Sequence, residues 1–152
     1  MVGICIRYTK NESDAVEVLN NGFLKVFKNI DKYKPEQGSV YTWIRTIVIN
    51  SCLDFIKASQ RAEKHHELTD EVEVHVEPEA IKKIKASALL NLVRQLPPAT
   101  MAVFNLYVIE GFSHREIASL LTISDGTSKW HLSEARKTLQ KLIHQQDVQI
   151  YE

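Results

Sequence analysis

The sequence predicts an all-α protein: two small helical bundles joined by an extended acidic linker, the second containing a helix-turn-helix. Three observations predict it. Apolar residues recur at spacings of three and four over most of the chain, and capping residues and Gly or Pro breakers punctuate those runs. The one alternating stretch, Glu71-Val72-Glu73-Val74-His75-Val76, has no second strand to pair with and therefore reads as linker. Residues 1–61 form the first predicted unit, 62–85 the linker and the start of the next helix, 86–145 the second unit and 146–152 a tail.

In chain order, Arg7-Tyr8-Thr9-Lys10-Asn11 closes a short apolar opening segment. Asn11 or Ser13 can cap a helix whose predicted buried stripe is Ala15, Leu19, Phe23, Val26, Phe27 and Ile30, with Glu17, Asn20, Asn21, Lys25 and Lys28 outward. Asp31 to Gly38 is a polar loop broken by Pro35 and Gly38, and Ser39 caps a long helix from Val40 to about Gln60. Val40, Ile44, Ile47, Val48, Cys52, Phe55 and Ile56 make its predicted core face. Tyr41, Trp43, Arg45, Asn50, Asp54, Lys57 and Arg61 occupy other faces. Spacing alone leaves open whether Trp43 fills the core and Asn50 is a surface amide, or whether both serve a site.

Pro78 suits the first turn of a further helix carrying Ile81, Ile84, Ala88, Leu92 and Leu96 on one side. Pro97-Pro98 ends it and starts the next, Ala99 to about Ile109, with Val103, Phe104, Tyr107 and Val108 apolar and Gly111 as terminator. Ser113 and Glu116 then have capping-box spacing, and Ile117, Ala118, Leu120 and Leu121 supply the buried side of a short helix. Thr122-Ile123-Ser124 turns the chain, with Thr122 where Gly is the frequent choice, at a cost of about 1 kcal/mol if it takes positive φ. Ser124 caps the second helix, along which Ser128, Leu132, Ala135, Leu139, Leu142 and Ile143 share one narrow face. Trp130, Ser133, Glu134, Lys137 and Lys141 point the opposite way, flanked by Lys129 and Arg136. A helix with such an exposed polar face fits a DNA major groove, although a solvated helical hairpin has the same spacing.

Composition narrows the function. With 152 residues, 44% apolar and 25% charged, the chain is expected to be a soluble protein of one domain or two small ones. Nineteen basic residues balance 19 acidic ones, so nucleic-acid binding would have to come from local patches. The balance is uneven along the chain: residues 1–61 carry 9 basic and 6 acidic, 62–85 carry 4 and 7, and 86–152 carry 6 and 6. Cys5 and Cys52 are too few for a disulfide framework or a zinc site, and His65-His66 lacks spaced partner ligands. The opening MVGICIRY is neither a signal peptide nor a membrane span, so a cytoplasmic protein without membrane insertion is expected. No nucleophile–base pair, metal cluster or phosphate loop suggests an enzyme, and no metal or cofactor is expected.

The residues resemble the extracytoplasmic-function (ECF) subgroup of bacterial RNA polymerase sigma factors. In the carboxy-terminal half the resemblance rests on Leu96-Pro97-Pro98, Glu110-Gly111-Phe112-Ser113, Glu116-Ile117-Ala118, Gly126-Thr127-Ser128-Lys129 and Ala135-Arg136-Lys137-x-Leu139. In the amino-terminal half it rests on Asp14-Ala15, Phe23, Val26-Phe27, Gly38-Ser39, Trp43-Ile44, Ile47, Asn50, Asp54 and Lys57. Family members carry more helix before the position of Arg7, so the first unit is expected to begin inside its first helix. Asn20-Asn21 stand where Gln and an acidic residue are common, Lys57, Arg61 and Lys64 replace a run of arginines, and Glu134 replaces a frequent basic residue.

The resemblance implies a protein that binds core RNA polymerase and directs transcription initiation from a two-element promoter, without being an enzyme. It implies polymerase docking through Glu17, Asn20, Asn21, Phe23, Lys25 and Phe27. Melting and reading of the downstream (minus-ten) element would fall to Tyr41, Trp43, Arg45, Asn50, Asp54 and Lys57, with the loop Lys32 to Gly38. The upstream (minus-thirty-five) element would fall to Thr127, Lys129, Trp130, Ser133, Glu134 and Lys137. Core polymerase, promoter DNA and an anti-sigma factor are the implied partners. The alternative is a stand-alone helix-turn-helix regulator of the two-component output type, which would need a receiver or ligand-binding domain that residues 1–61, with no βαβ alternation, do not offer.

Overall fold

The protein is described here by a computed structural model covering residues 1–63 and 81–149. The extended course expected for 62–77, the His65-His66 pair and Pro78 fall almost entirely outside those residues. Among the described residues there are seven α-helices and no strand. They are α1 (Val2–Tyr8), α2 (Glu12–Lys28), α3 (Val40–Glu63), α4 (Ile81–Arg94), α5 (Pro98–Phe104), α6 (His114–Leu121) and α7 (Asp125–Gln149).

The helix starts obey local chemistry. Asn11 caps α2, its side-chain oxygen accepting from the Asp14 amide at 2.8 Å, and the Ser39 hydroxyl accepts from the Thr42 amide at 3.2 Å at the head of α3. The opening apolar segment is itself helical, α1, and buries Ile4, Cys5 and Tyr8. α2 turns a different stripe inward from the one expected: Ala15, Val18, Gly22 and Val26 are buried, while Phe27 and Ile30 are 69% and 61% exposed. Gly22 explains the rotation. A Cβ there would lie 3.3 Å from Val48 Cγ2, so the bare backbone of α2 seats directly on α3. α3 answers with Val48, Ile49, Cys52, Leu53 and Ile56, while Val40, its first residue, is exposed.

In the second half α5 is the central post, burying Thr100, Met101, Ala102 and Val103. Leu92, Val93 and Leu96 of α4 join it, as do Ile117 of α6 and Leu132, Ala135 and Leu139 of α7. Ile143, expected on that inner stripe, is 42% exposed, whereas Leu142 beside it packs against the core. The helix predicted from Ala99 to Ile109 is interrupted: after Phe104 the ladder widens to a π turn, with the Glu110 amide donating to the Asn105 carbonyl at 3.0 Å. Gly111 ends it at φ +80°.

The two halves are not apart. Their buried side chains form one contiguous core, with α1 against α4 and α3 against α5. A helix as short as α1 leaves its last carbonyls without partners, and side chains from both halves supply them. The Thr9 hydroxyl donates to the Cys5 carbonyl at 3.1 Å, Arg94 to that of Ile6 at 3.1 Å, and Asn105 to that of Arg7 at 2.9 Å. The Glu110 carboxylate, its side chain 3% exposed, pairs with both Arg7 and Arg45.

Candidate nucleic-acid interface

The helix-turn-helix forms from caps at both ends of a left-handed turn. The Ser113 hydroxyl accepts from the Glu116 amide, while the Glu116 carboxylate accepts from the Ser113 amide at 2.8 Å and hydroxyl at 2.7 Å. Those bonds, the hydroxyl first, hold the Glu116 carboxyl below the usual carboxylate range. Thr122 adopts φ 59°, ψ 48°, the left-handed geometry anticipated, and its amide donates to the Ala118 carbonyl. Ser124 then caps α7, accepting from the Thr127 amide at 3.0 Å and sharing a hydroxyl–hydroxyl bond with Thr127 at 2.9 Å.

Small residues set how closely α7 approaches its supports: Ser128 and Ala135 are fully buried. Ser128 bonds His114 Nδ1 at 2.9 Å, tying the starts of α6 and α7, and His114 stacks on Tyr107 with centroids 4.5 Å apart. His131 Nδ1 meets the Thr100 hydroxyl at 3.0 Å, and burial holds the imidazole pKa below its ordinary value. With that side fixed, Thr127, Lys129, Trp130, Ser133, Lys137 and Lys141 are exposed, whereas Glu134 is half-buried. Trp130 stands 59% exposed with its ring edge-on to His131. All of the expected upstream-element residues except the half-buried Glu134 are therefore exposed on one side of one helix.

The residues expected at the downstream element divide between two places. Tyr33 and Trp43 face each other at 5.5 Å and, with Lys34, Gln37, Gly38, Ser39, Thr42 and Thr46, line a small cavity of about 160 Å³. The Tyr33 hydroxyl donates to the Gly38 carbonyl at 3.1 Å, and Gly38 takes φ +141°, which closes the loop over Trp43. Asp54 accepts from Lys25 of α2 at 2.8 Å in the open, with Asn50 half-buried one turn earlier and Tyr41 62% exposed at the head of α3.

Arg45 and Lys57 do not join them. Arg45 lies seven residues before Cys52, hence on the buried stripe of α3 rather than its outer face. Its guanidinium donates to the Glu110 carbonyl at 3.0 Å and to the Glu110 carboxylate, 6.0 Å from the Phe112 ring centre. Lys57 lines a separate cavity of about 210 Å³ where α3 meets α5 and α7. Heptad spacing could have placed Arg45, whereas nothing local to Glu110 announces its partners. Tyr33 lies in the loop Lys32 to Gly38 expected at this element, although a lone aromatic in a polar loop carries no periodic signal of its own.

On α2, Glu17, Asn20 and Asn21 are exposed, Phe23 is half-buried and Phe27 is outward. Val16 and Leu24, each 51% exposed, extend the apolar surface beside them. No helix among the described residues is long and apolar enough to cross a membrane.

The family described as Sigma-70 region 2 matches residues 1–62, and Sigma-70, region 4 matches residues 86–139. The chain is 21% identical to the RNA polymerase sigma-H factor of Pseudomonas aeruginosa, covering 94% of this chain and 80% of that protein. It is 22% identical to the ECF RNA polymerase sigma-E factor of Haemophilus influenzae, over 94% of this chain and 81% of that one. Among solved structures it is similar in fold to the sigma factor RpoE in complex with the anti-sigma factor NepR from Bartonella quintana, with a TM-score of 0.69 at 18% identity over 94% of this chain and 89% of that one. It is also similar in fold to CnrH in complex with the cytosolic domain of CnrY, with a TM-score of 0.57 at 17% identity over 94% and 79% of the two chains.

Proposed function

We propose how this chain, which belongs to the ECF subgroup of the sigma-70 family and directs RNA polymerase to promoters, divides that task among its helices. The α2 surface around Phe27, Val16 and Leu24, fringed by Glu17, Asn20 and Asn21, docks on core polymerase, since so much exposed apolar area on a helix otherwise firmly packed calls for a partner. The Tyr33–Trp43 cavity takes a base of the downstream element as the duplex melts: an aromatic wall stacks on a base, and Lys34, Gln37 and Thr42 offer polar groups to its edge. Asn50 and Asp54 lie beyond it on α3. The exposed side of α7 reads the upstream element as duplex, with Thr127, Lys129, Trp130, Ser133 and Lys137 foremost.

The observation that carries this division is that α7 keeps its groove-facing side clear while every small residue on its other side is buried. The protein acts as an initiation factor rather than as an enzyme. One of the two solved structures was captured with an anti-sigma factor and the other with a cytosolic domain, and an anti-sigma partner is proposed here. The test is a pull-down beside a binding assay: the chain should co-purify with core polymerase yet bind isolated promoter DNA weakly at about 150 mM salt. Tight sequence-specific binding by the free chain with no polymerase association would instead favour a stand-alone regulator.

A further inference from the structure

The seam between the two halves is the part of the molecule that a promoter-binding role leaves unexplained. Beside the apolar side chains that join the halves in one core, it carries buried polar and charged groups that a permanent interface would do without. Glu110, at the end of the π turn, holds Arg7 of α1 and Arg45 of α3, while Arg94 and Asn105 hold the last carbonyls of α1. Several of its buried polar atoms have no protein partner among the described residues: Arg7 Nε, Arg94 Nε, Asn105 Oδ1 and the hydroxyl of Tyr8. Each is costly to keep from water, so closure gains less than the ion pairs suggest and opening would hydrate all four.

We propose that Glu110 is the latch of a closed state, in which one buried carboxylate grips an arginine from each of α1 and α3 and keeps Arg45 away from nucleic acid. When the latch releases, the halves part and Arg45 becomes free on the helix that carries Trp43. The 17 residues between Glu63 and Ile81 have a contour of roughly 60 Å, enough to let the halves separate without strain. Glu110 is suited to the task because a single carboxylate, reaching across the seam, satisfies two guanidinium groups of the first half that would otherwise repel one another.

The consequence for polymerase rests on the function proposed above; the consequence for shape does not. Small-angle scattering on the free 152-residue chain is therefore the primary measurement, made on the unaltered protein, on Glu110→Gln and on the double variant Arg7→Gln/Arg45→Gln, with circular dichroism on each. A compact chain of 152 residues should have a radius of gyration of about 15 Å. The latch predicts that Glu110→Gln expands by several Å at unchanged helicity and that the double variant expands to the same degree. Should Glu110→Gln lose helicity, the double variant decides. An unchanged radius in the helical variants overturns the latch. As a second arm, Glu110→Gln should bind core polymerase more tightly, by up to the factor with which the closed form outnumbers the open one. Expansion without tighter binding would count against the polymerase role assigned to the closed state and leave the latch standing.

Discussion

Thr122 holds the corner of the helix-turn-helix in a conformation that its own side chain disfavours, and the strain has a size. At φ 59°, ψ 48° the Cβ of an L-residue crowds the following carbonyl, at about 1–2 kcal/mol. Glycine removes that clash, but its looser unfolded chain returns about 0.4–1 kcal/mol. The Thr122 side chain is exposed, so little packing is lost with it. Thr122→Gly should therefore stabilise the protein by about 0.5–1 kcal/mol. With a urea dependence of about 2 kcal/mol per molar, the midpoint followed by circular dichroism should rise by about 0.3–0.5 M. Thr122→Ala keeps the Cβ and should stay within about 0.2 M of the unaltered protein. A glycine variant that unfolds at the same or lower urea than the alanine variant would refute the strain argument.

Further outcomes follow from other contacts. Gly22→Leu should cost about 3 kcal/mol in the same urea assay, because even a Cβ sits 3.3 Å from Val48 Cγ2, and pairing it with Val48→Ala should recover part of the loss; an unchanged midpoint would mean that α2 does not seat on α3 there. His131 is neutral and partly desolvated in the folded state, so as pH falls through about 6.5 the unfolded chain takes up a proton that the folded chain resists, and stability drops. His131→Gln should flatten that part of the stability–pH curve, and an identical slope would exclude the imidazole as its source. Glu134→Ala should relax preference at one base pair of the upstream element by about 1–3 kcal/mol in a randomised-promoter selection, whereas the same preferred sequence before and after would remove Glu134 from base reading.

Much of this architecture was legible because its determinants are local. Ser113 with Glu116, Ser124 before α7, Asn11 before α2 and Gly111 after the π turn act within four residues or fewer, so caps, breakers and the left-handed Thr122 could be read from the chain. The outward side of α7 was legible for the same reason, since period and polarity agree along it. The facing of α2 was not: apolar periodicity favoured a stripe through Phe27, but a glycine at 22 allows a closer helix approach than any side chain, and the helix rotated to use it. The seam was out of reach altogether. Arg7 and Glu110 are 103 positions apart, and a lone acidic residue before a glycine gives no hint of two distant arginines. Arg45 differs, because its charge suggested nucleic acid while its register on α3, seven residues before Cys52, already pointed it inward.

The claim on which everything else depends is that this chain gives core RNA polymerase its promoter choice. Transcription from a randomised promoter library, with core polymerase and this chain each present or absent, measures that directly. Initiation at a defined start should appear only when both are present, and the enriched promoters should share two separated elements. Equal initiation by core polymerase alone, or enrichment of a single element bound by the free chain, would contradict it.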